Sequence, residues 1–534
     1  MSTQGVNFVS NLQPGNFVFD GAYVQGTLSQ QSLPTGPPTN FVAISGGASF
    51  GIPNRILTAS AKNLQSIIGR DTAVVKSALR EALTAVLGGC QSFKFVRVTD
   101  GTDMPAKINL VDTASTPANV IILTCVSTGT DGNYASARID LVSGTAAAGP
   151  VYKITINDPF GGSRSFFPII GYATAGGAYA AATFQANALA AINGTAPNAV
   201  ADAYFVATAG ASIIAPAVGN ASLAQASGGT NGDSGLTDTT NLGADAQAAS
   251  TGAYVFRGAL AGGQLVIADC STTTLFGAIA SLAQQEGAIG WETFAAGTDT
   301  TTAIATKSTN NMTSDYMGVV MDWIEVNDSF QGQQILVSPI GMAAGVVASL
   351  PPYQYPSNHP TNGVAGVITT ERLMLGTIDN TEGGQRESNG ILWIGPTPNG
   401  VLGLPHGLTS SGRQINEVRM LQYLGYSVGT IMARFVGKML QTTLPIAQAD
   451  GNDPRNQAGT ALRSFFNPMV QAGSRSLSAY SVDVGDDVNT TPTMQQGRLL
   501  AQCYASTLTG VQYAIAALAV GNGIQIVTTP VGGQ

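Results

Sequence analysis

The sequence is short of charge. Asp, Glu, Lys and Arg make up 10% of its 534 residues, far below the roughly one quarter usual in soluble domains. Hydrophobic residues nevertheless reach 44%, so the chain is not of the disordered type, which is charged and poor in apolar side chains. A monomer with so few charges is hard to keep in solution. A large share of the surface is therefore expected to be buried against something else. The net charge of −8 argues against nucleic acid as the main partner, since phosphate binding needs a cationic face. The length suggests roughly two to four domains.

Cysteine and histidine are scarce too. Cys90, Cys125, Cys270 and Cys503 are far apart and form no CxxC pair, and His359 and His406 are the only histidines. That inventory does not make a structural zinc site, and the cysteines are expected to be reduced and mostly buried. His359 lies between Asn358 and Pro360, and His406 follows Pro405, so both read as loop residues rather than ligands. The first residues lack the basic and then apolar pattern of a secretory signal, which leaves the Asn193 sequon without a glycosylation route. The apolar run from Val511 to Val520 contains Gln512 and is too short to span a bilayer. No direct membrane insertion is expected.

Motifs for catalysis are missing as well. The phosphate loop G-x-x-x-x-G-K-[ST] does not occur. Gly521-Asn522-Gly523 lacks the third glycine of a dinucleotide site, and Asp450-Gly451-Asn452-Asp453 lacks the terminal Glu of a calcium loop. Gly232-Asp233-Ser234-Gly235 has the form of a trypsin-like nucleophile segment. A triad needs a histidine base, and that protease order puts it before the serine, whereas both histidines here follow Ser234. A surface turn is the better reading. The expectation is no catalytic residue, no cofactor and no metal, with a serine hydrolase using Ser234 as the alternative from another functional class.

What is present is patterned. Residues 1–19 carry no charged side chain, and neither do the last 36, Leu499 to Gln534. The short alternations Val6-Asn7-Phe8-Val9, Phe17-Val18-Phe19 and Ile524-Gln525-Ile526-Val527 predict strands. A buried strand is predicted at 41–44, a short helix at 59–68, an amphipathic helix at 73–87 with Val75, Leu79, Ala82 and Val86 on one face, and a strand at 93–98. This is an α/β beginning. From Pro105 the pattern turns to strands at 119–125, 136–141 and 151–156, then an alanine-rich helix at 178–192. Residues 196–253 are low-complexity and read as loops. Strand and helix alternation returns with 265–268, 275–285, 288–291, 318–323, the core strand 334–337 and the helix 340–350. A stripe of Ile415, Val418, Leu421, Leu424, Val428, Ile431, Phe435 and Met439 predicts one helix over 413–440. A helix at 460–472 and a strand at 477–484 follow. Trp291, Trp323 and Trp393 are expected to pack in cores.

Charge is uneven. Between 410 and 475 seven basic residues face three acidic ones, against the acidic trend elsewhere. Arg413, Arg419, Arg434 and Lys438 are therefore candidates for meeting an acidic partner surface; a solvated helix face is the plainer alternative.

The order of these pieces resembles the contractile tail sheath proteins of bacteriophages and related injection machines. Gly21-Ala22-Tyr23-Val24-Gln25 resembles the family's G-V-Y-V-E opening, and Gly51-Ile52-Pro53-Asn54 precedes the first helix as it does there. Phe95-Val96-Arg97-Val98 is similar to the Y-V-V-R-V strand. Thr128-Gly129-Thr130-Asp131-Gly132-Asn133 is similar to the G-T-W-G-N turn, with Asp131 where tryptophan is usual. Val337-Ser338-Pro339-Ile340-Gly341 to Ala348 resembles V-P-P-S-G-x-x-A-G-x-Y-A. Ile415-Asn416-Glu417-Val418-Arg419 sits at the V-N-V-R-R position, and Ala461 to Gly473 with Tyr480-Ser481-Val482-Asp483 fits the last helix and strand. The family's R-x-D-x-x-x-G-x-x-x-x-P-A-N segment survives only in blurred form over 349–363.

The resemblance implies an α/β and α+β multidomain chain: an inner α/β sheath body from discontinuous segments, an inserted outward β-rich domain and extended terminal arms. The expected divisions are an arm over 1–20, body segments 21–104 and 254–405, the insertion 105–253, a tube-proximal domain 406–520 and an arm over 521–534. Val6, Phe8, Val9, Phe17, Phe19, Ile524 and Ile526 would form the intersubunit strands, and Arg413, Arg419, Arg434 and Lys438 would face the tube. The implied partners are further copies of the chain, a tail tube protein, and baseplate and tail terminator proteins, in a virion tail assembled in the host cytoplasm. A capsid, surface-layer or adhesin protein is the alternative of the same broad class.

Overall fold

The computed structural model describes residues 39–509, apart from 144–148, 175, 197–198, 247–248, 329, 358–366, 375, 377, 397–401 and 472–475, and, nearer the N-terminus, two short strands. Those strands, β1 (Asn7–Phe8) and β2 (Tyr23–Val24), pair in parallel with Asn7 opposite Tyr23.

An unbroken apolar run suits a strand covered on both faces, and β3 (Phe41–Gly46) is buried at every position. It is followed by β4 (Ile56–Ser60), α1 (Leu64–Ile68), α2 (Ala78–Leu87) and β5 (Ser92–Arg97). Periodicity placed a helix over 73–87, but α2 starts only at Ala78. Ser77 caps it, its hydroxyl accepting the Arg80 N–H at 3.3 Å, and Lys76 takes a positive φ of 48° that no helix continues through. Val75 thereby leaves the apolar face and is exposed. The helix expected over 59–68 is likewise shared between the end of β4 and α1.

From Pro105 the chain forms β6 (Pro105–Val111), β7 (Asn119–Thr128), β8 (Ser136–Ser143), β9 (Val151–Asn157), β10 (Ser163–Ile170), α3 (Ala181–Ile192), β11 (Phe205–Ala209), β12 (Ala224–Gln225) and α4 (Asp238–Leu242). Two sheets result, in the orders β10-β9-β8-β12 and β11-β7-β6. Alternate residues such as Ile108, Leu123, Ile139 and Ile154 point into one core with Phe184 of α3. Residues 196–253 are not simply loops: Phe205 and Ala207 belong to that core. The open side of β11 is closed by Asn193, whose carboxamide donates to the Ala207 carbonyl at 3.0 Å and accepts the Ala207 N–H at 2.8 Å. A side chain thus stands where a further strand would otherwise pair.

The body resumes with β13 (Gln264–Ile267), α5 (Phe276–Glu286), β14 (Ile289–Thr293), α6 (Thr300–Thr309), β15 (Met317–Met321), β16 (Ile324–Asp328), β17 (Gln333–Val337), α7 (Ile340–Ser349), β18 (Val367–Thr370), α8 (Glu371–Met374), α9 (Asn380–Ser388) and β19 (Ile391–Trp393). Segments on both sides of the insertion share a seven-stranded sheet, β19-β15-β14-β13-β3-β5-β4. Its pairings are parallel except that of β4 with β5. One face packs on α2 and α7, the other on α5 and α6. Gly345 lets α7 lie on α2, since a Cβ there would overlap the Ala85 backbone. The segment 334–337, expected in the core, instead forms the largely exposed edge strand β17 of a separate sheet, β17-β16-β18. Trp291 is fully buried and Trp393 nearly so. Trp323 is half-buried, its indole donating to the Phe294 carbonyl at 2.9 Å.

The remaining elements are β20 (Gly395–Pro396), β21 (Leu402–Gly403), α10 (Ile415–Ala433), α11 (Pro454–Val470), β22 (Leu477–Asp483), α12 (Thr491–Gln495) and β23 (Gln502–Thr507). Residues 39–422 belong to one compact unit and 423–506 to another, so the division in sequence falls within α10. That helix stops at Ala433, short of the 440 expected from the apolar stripe. Among the described residues no helix is long and apolar enough to cross a membrane.

Candidate functional site

A doubly wound sheet offers one site by topology. Strand order reverses between β3 and β13, and ligands of open α/β sheets bind in the crevice beyond the carboxyl ends at such a reversal. Here the chain fills that crevice itself. Gly47 lies so close to Val74, Val75 and Leu236 that even a Cβ would clash. Ser45 donates to the Asn241 carbonyl at 2.6 Å. The Lys76 ammonium lies 2.5 Å from Asp238 Oδ1 and 3.1 Å from the Asp269 carbonyl. Arg80 pairs with Asp269 at 2.7 Å. The buried Glu81 accepts the N–H groups of Asp269 (3.0 Å) and Gly341 (2.9 Å). The position that binds nucleotides in other α/β proteins is here a joint between the body and the segment returning from the insertion.

A second joint uses motif residues. Arg97, buried at the end of β5, donates to the carbonyls of Gly51 (2.6 Å), Thr128 (2.6 Å) and Asn231 (2.9 Å). Asp131, in the turn after β7, accepts the Ser49 hydroxyl at 2.7 Å and the Arg70 N–H at 2.6 Å. Where the sheath pattern has tryptophan, this chain closes the same turn onto the body with a carboxylate.

Ser234 lies in the same region without the makings of a nucleophile. Its hydroxyl is 3.2 Å from Asp100 Oδ2. Asp100 is held down to about 2 by hydrogen bonds from the Thr102 hydroxyl and N–H, the Gly235 N–H and Ser234 itself. A carboxylate that acidic is a poor base. His406 hydrogen-bonds the Ile391 carbonyl at 3.1 Å and stacks edge-on against Trp393 at 4.9 Å. It lies in a loop, yet burial lowers its pKa to about 4, so it is neutral at pH 7. His359 lies outside the described residues. Among the described residues no group of three or more His, Cys, Asp or Glu is placed to hold a metal ion. Cys90, Cys125 and Cys270 are buried and Cys503 is half-buried, all free thiols.

The unit over 423–506 presents a surface of another kind. Arg455 anchors it from within: its guanidinium reaches Asp453 Oδ1 at 3.1 Å, Asp486 Oδ1 at 3.2 Å and the Leu444 carbonyl at 3.0 Å. Phe466 stacks on Tyr480 at 5.2 Å and ties α11 to β22. β22 and β23 form a two-stranded sheet; among the described residues neither outer edge is paired, and most of its side chains are exposed. Past the end of α10, Val436 is 84% and Met439 89% exposed. A two-stranded sheet is marginal alone.

The four basic candidates are divided. Arg413 and Arg419 belong to the 39–422 unit, Arg434 and Lys438 to the other. Arg434 and Lys438 are exposed, and Lys438 lies 2.9 Å from Gln457 Oε1. α10 ends at Ala433, before both. Arg413 is exposed and pairs with Asp315 at 3.0 Å. Arg419 is a correction: it is 2% exposed, and its guanidinium donates to the Leu350 carbonyl at 2.9 Å and the Thr39 carbonyl at 3.3 Å. A cation enclosed in this way cannot present its charge to another surface. Of the expected strand arms, Phe8 falls in β1; Val6, Val9, Phe17, Phe19, Ile524 and Ile526 lie outside the described residues.

No protein-family model matches the sequence, and no curated protein matches it. Solved structures do match. The sheath tail protein of Desulfitobacterium hafniense aligns over 87% of this chain and 93% of its own, at 10% identity and a TM-score of 0.51. The sheath tail protein of Listeria innocua aligns over 88% and 95%, at 13% identity and a TM-score of 0.52. The likeness covers most of the chain, and the chain has the multidomain α/β fold of the tail sheath proteins.

Proposed function

We propose that this chain is a structural subunit of a contractile tail sheath. It polymerises helically around a tail tube and contracts to drive the tube through the host envelope. The observation that carries this reading is a fold shared with sheath tail proteins along nearly the whole chain. The filled crevice at the sheet reversal supports a mechanical rather than an enzymatic role.

The uncharged ends, residues 1–20 and 521–534, serve as arms that add strands to neighbouring subunits. The open edges of β22 and β23 are the natural acceptor, because unpaired N–H and C=O groups in a row are a template for another strand. Head-to-tail contacts that do not close generate a helix. Arms that keep subunits linked allow rigid bodies to rotate and slide between lattices, and a kinetically trapped extended lattice releases stored free energy without a nucleotide. Exposed Arg434 and Lys438 face an acidic tube surface. Baseplate and tail terminator proteins bound the polymer in a virion tail assembled in the host cytoplasm.

Deleting residues 1–20 or 521–534 should leave a folded chain that no longer forms tubes in electron micrographs. Normal tubes from both truncations would overturn the arm assignment. Flat sheets or closed shells from the intact chain would favour a capsid or surface-layer protein instead.

A further inference from the structure

Two sheet edges of this chain are treated in opposite ways. The open side of β11 is blocked by the Asn193 carboxamide. β17 ends the sheet β17-β16-β18, and among the described residues nothing pairs with its outer edge. Edge strands are ordinarily protected by a charge, a proline or a bulge. Gln333-Gln334-Ile335-Leu336-Val337 has neither a charged residue nor a proline, and its pairing with β16 runs without a register shift. A groove of about 220 Å³ lies beside it, lined by Leu83, Val86 and Leu87 of α2 and by Val326, Ile335 and Val337 of the sheet. Arg80 and Asp328 are the charged residues of that lining. Arg80 is paired with Asp269, and Asp328 accepts the Phe330 N–H at 2.8 Å and the Gln331 N–H at 3.1 Å. Neither needs an opposite charge from an occupant. The edge and groove together fit an uncharged strand with apolar side chains at alternate positions.

The chain carries such a segment near its C-terminus, outside the described residues. Ile524, Ile526 and Thr528 alternate, no residue after Arg498 is charged, and Pro530 ends the pattern. The described chain runs out just past Leu508, whose carbonyl accepts Asn416 Nδ2 at 3.2 Å. Residues 510–523 span roughly 45 Å when extended. That exceeds the roughly 20 Å radius of gyration of a unit of this size, so the segment can reach a second copy. We propose that Ile524–Thr528 of one copy pairs antiparallel with β17 of another and sets Ile524 and Ile526 into the groove. The register that matches the faces puts Ile526 opposite Ile335, Ile524 opposite Val337 and Thr528 opposite Gln333. On the other face Gln525 then meets Leu336, which is 39% exposed. The contact is head-to-tail and does not close on itself. It rests on the reading of residues 521–534 as a donated arm, and it leaves the edges of β22 and β23 to residues 1–20.

The test is a disulfide across the new pair. Leu336→Cys and Gln525→Cys are placed together in the full chain with Cys503→Ser, the remaining cysteines being buried. After assembly and mild oxidation, non-reducing gels should show a ladder of covalent multimers that neither single variant gives. Adding Ile526→Asp should weaken the ladder by about tenfold or more, because its carboxylate has to enter an apolar groove. Ile335→Lys on the acceptor should do the same in a chain that still melts cooperatively. Tubes that form without the ladder would overturn this acceptor and leave the sheath reading standing. A ladder in assemblies that are not tubes would do the reverse. A disulfide that closes within single chains would overturn the donation to a second copy.

Discussion

Arg97 Nη1 lies 2.6 Å from both the carbonyl and the hydroxyl oxygen of Thr128. Arg97 ends a strand of the body, and Thr128 ends a strand of the insertion. The same guanidinium also reaches the Asn231 carbonyl on the returning segment. One side chain therefore crosses the seam to both sides of the insertion's root. Burial lowers its pKa to about 10, which leaves it charged at neutral pH, and hydrogen bonds to a charged donor are stronger than neutral ones.

Replacing Arg97 by Met should strand several buried carbonyls, at about 3 kcal/mol or more. The loss should appear first at the root. Limited proteolysis should cut near residues 99–104 and 229–236 well below the melting temperature. Arg97→Lys should recover only part of the protection, because one ammonium cannot span the three carbonyls. Equal resistance of wild type and Met variant to cutting would refute the clamp.

The sequence made some of this legible and hid the rest for physical reasons. β3 and β9 could be read because burial on two faces gives a continuous apolar run and burial on one gives strict alternation. α9 could not: Asn380 to Ser388 has no apolar stripe, and the helix is held by Arg386 meeting Asp322 and Glu382, a pairing that exists only in three dimensions. Leu421, Phe435 and Met439 looked like one stripe with Ile415 and Val418. Periodicity shows which residues are apolar together, not whether they face their own core, and Met439 is 89% exposed. Arg419 misled in the opposite direction, because a charge in a sequence does not announce that carbonyls will enclose it. The motif residues Arg97 and Asp131 were identifiable by resemblance, but their shared task at the insertion root needed coordinates. The pairing of Lys76 with Asp238 joins two distant segments and left no signal in the sequence.

Glu292 predicts a pH dependence of unusual sign for a carboxyl. Its folded-state pKa of about 9 lies above its ordinary value of 4.5. Between these values the folded chain keeps a proton that the unfolded chain releases, so rising pH favours unfolding, at up to about 1.4 kcal/mol per pH unit. Above the folded pKa the dependence levels off. Glu292→Gln removes it. The variant's advantage in denaturant midpoint should therefore grow steadily from about pH 5 to about pH 9. A difference that stays constant over that range would refute the buried neutral acid.

Arg386 and Asp322 form a buried pair, with Glu382 2.8 Å from the same guanidinium. Burial raises the carboxyl of Asp322, while Arg372 first holds that of Glu382 down at about 2. Asp322→Ala should cost about 3–5 kcal/mol, since it leaves a buried cation short of a partner. The double change Asp322→Leu with Arg386→Met should cost less than Asp322→Ala alone. Denaturant titrations of the three variants decide; a double variant no more stable than Asp322→Ala would show that the pair does more than balance its own desolvation.

Arg434 and Lys438 are exposed, so reversing both to Glu should leave the melting temperature nearly unchanged. If they meet an acidic tube, sheath assembly on purified tubes should weaken markedly at low salt. The difference from wild type should shrink as ionic strength rises and the Debye length falls below about 10 Å. Arg419→Glu provides the contrast: it places a second charge type among buried carbonyls and should unfold the chain rather than alter its salt response. Co-sedimentation with tubes across a salt series reads both effects. Assembly of the double reversal that equals wild type at low salt would remove Arg434 and Lys438 from the tube interface.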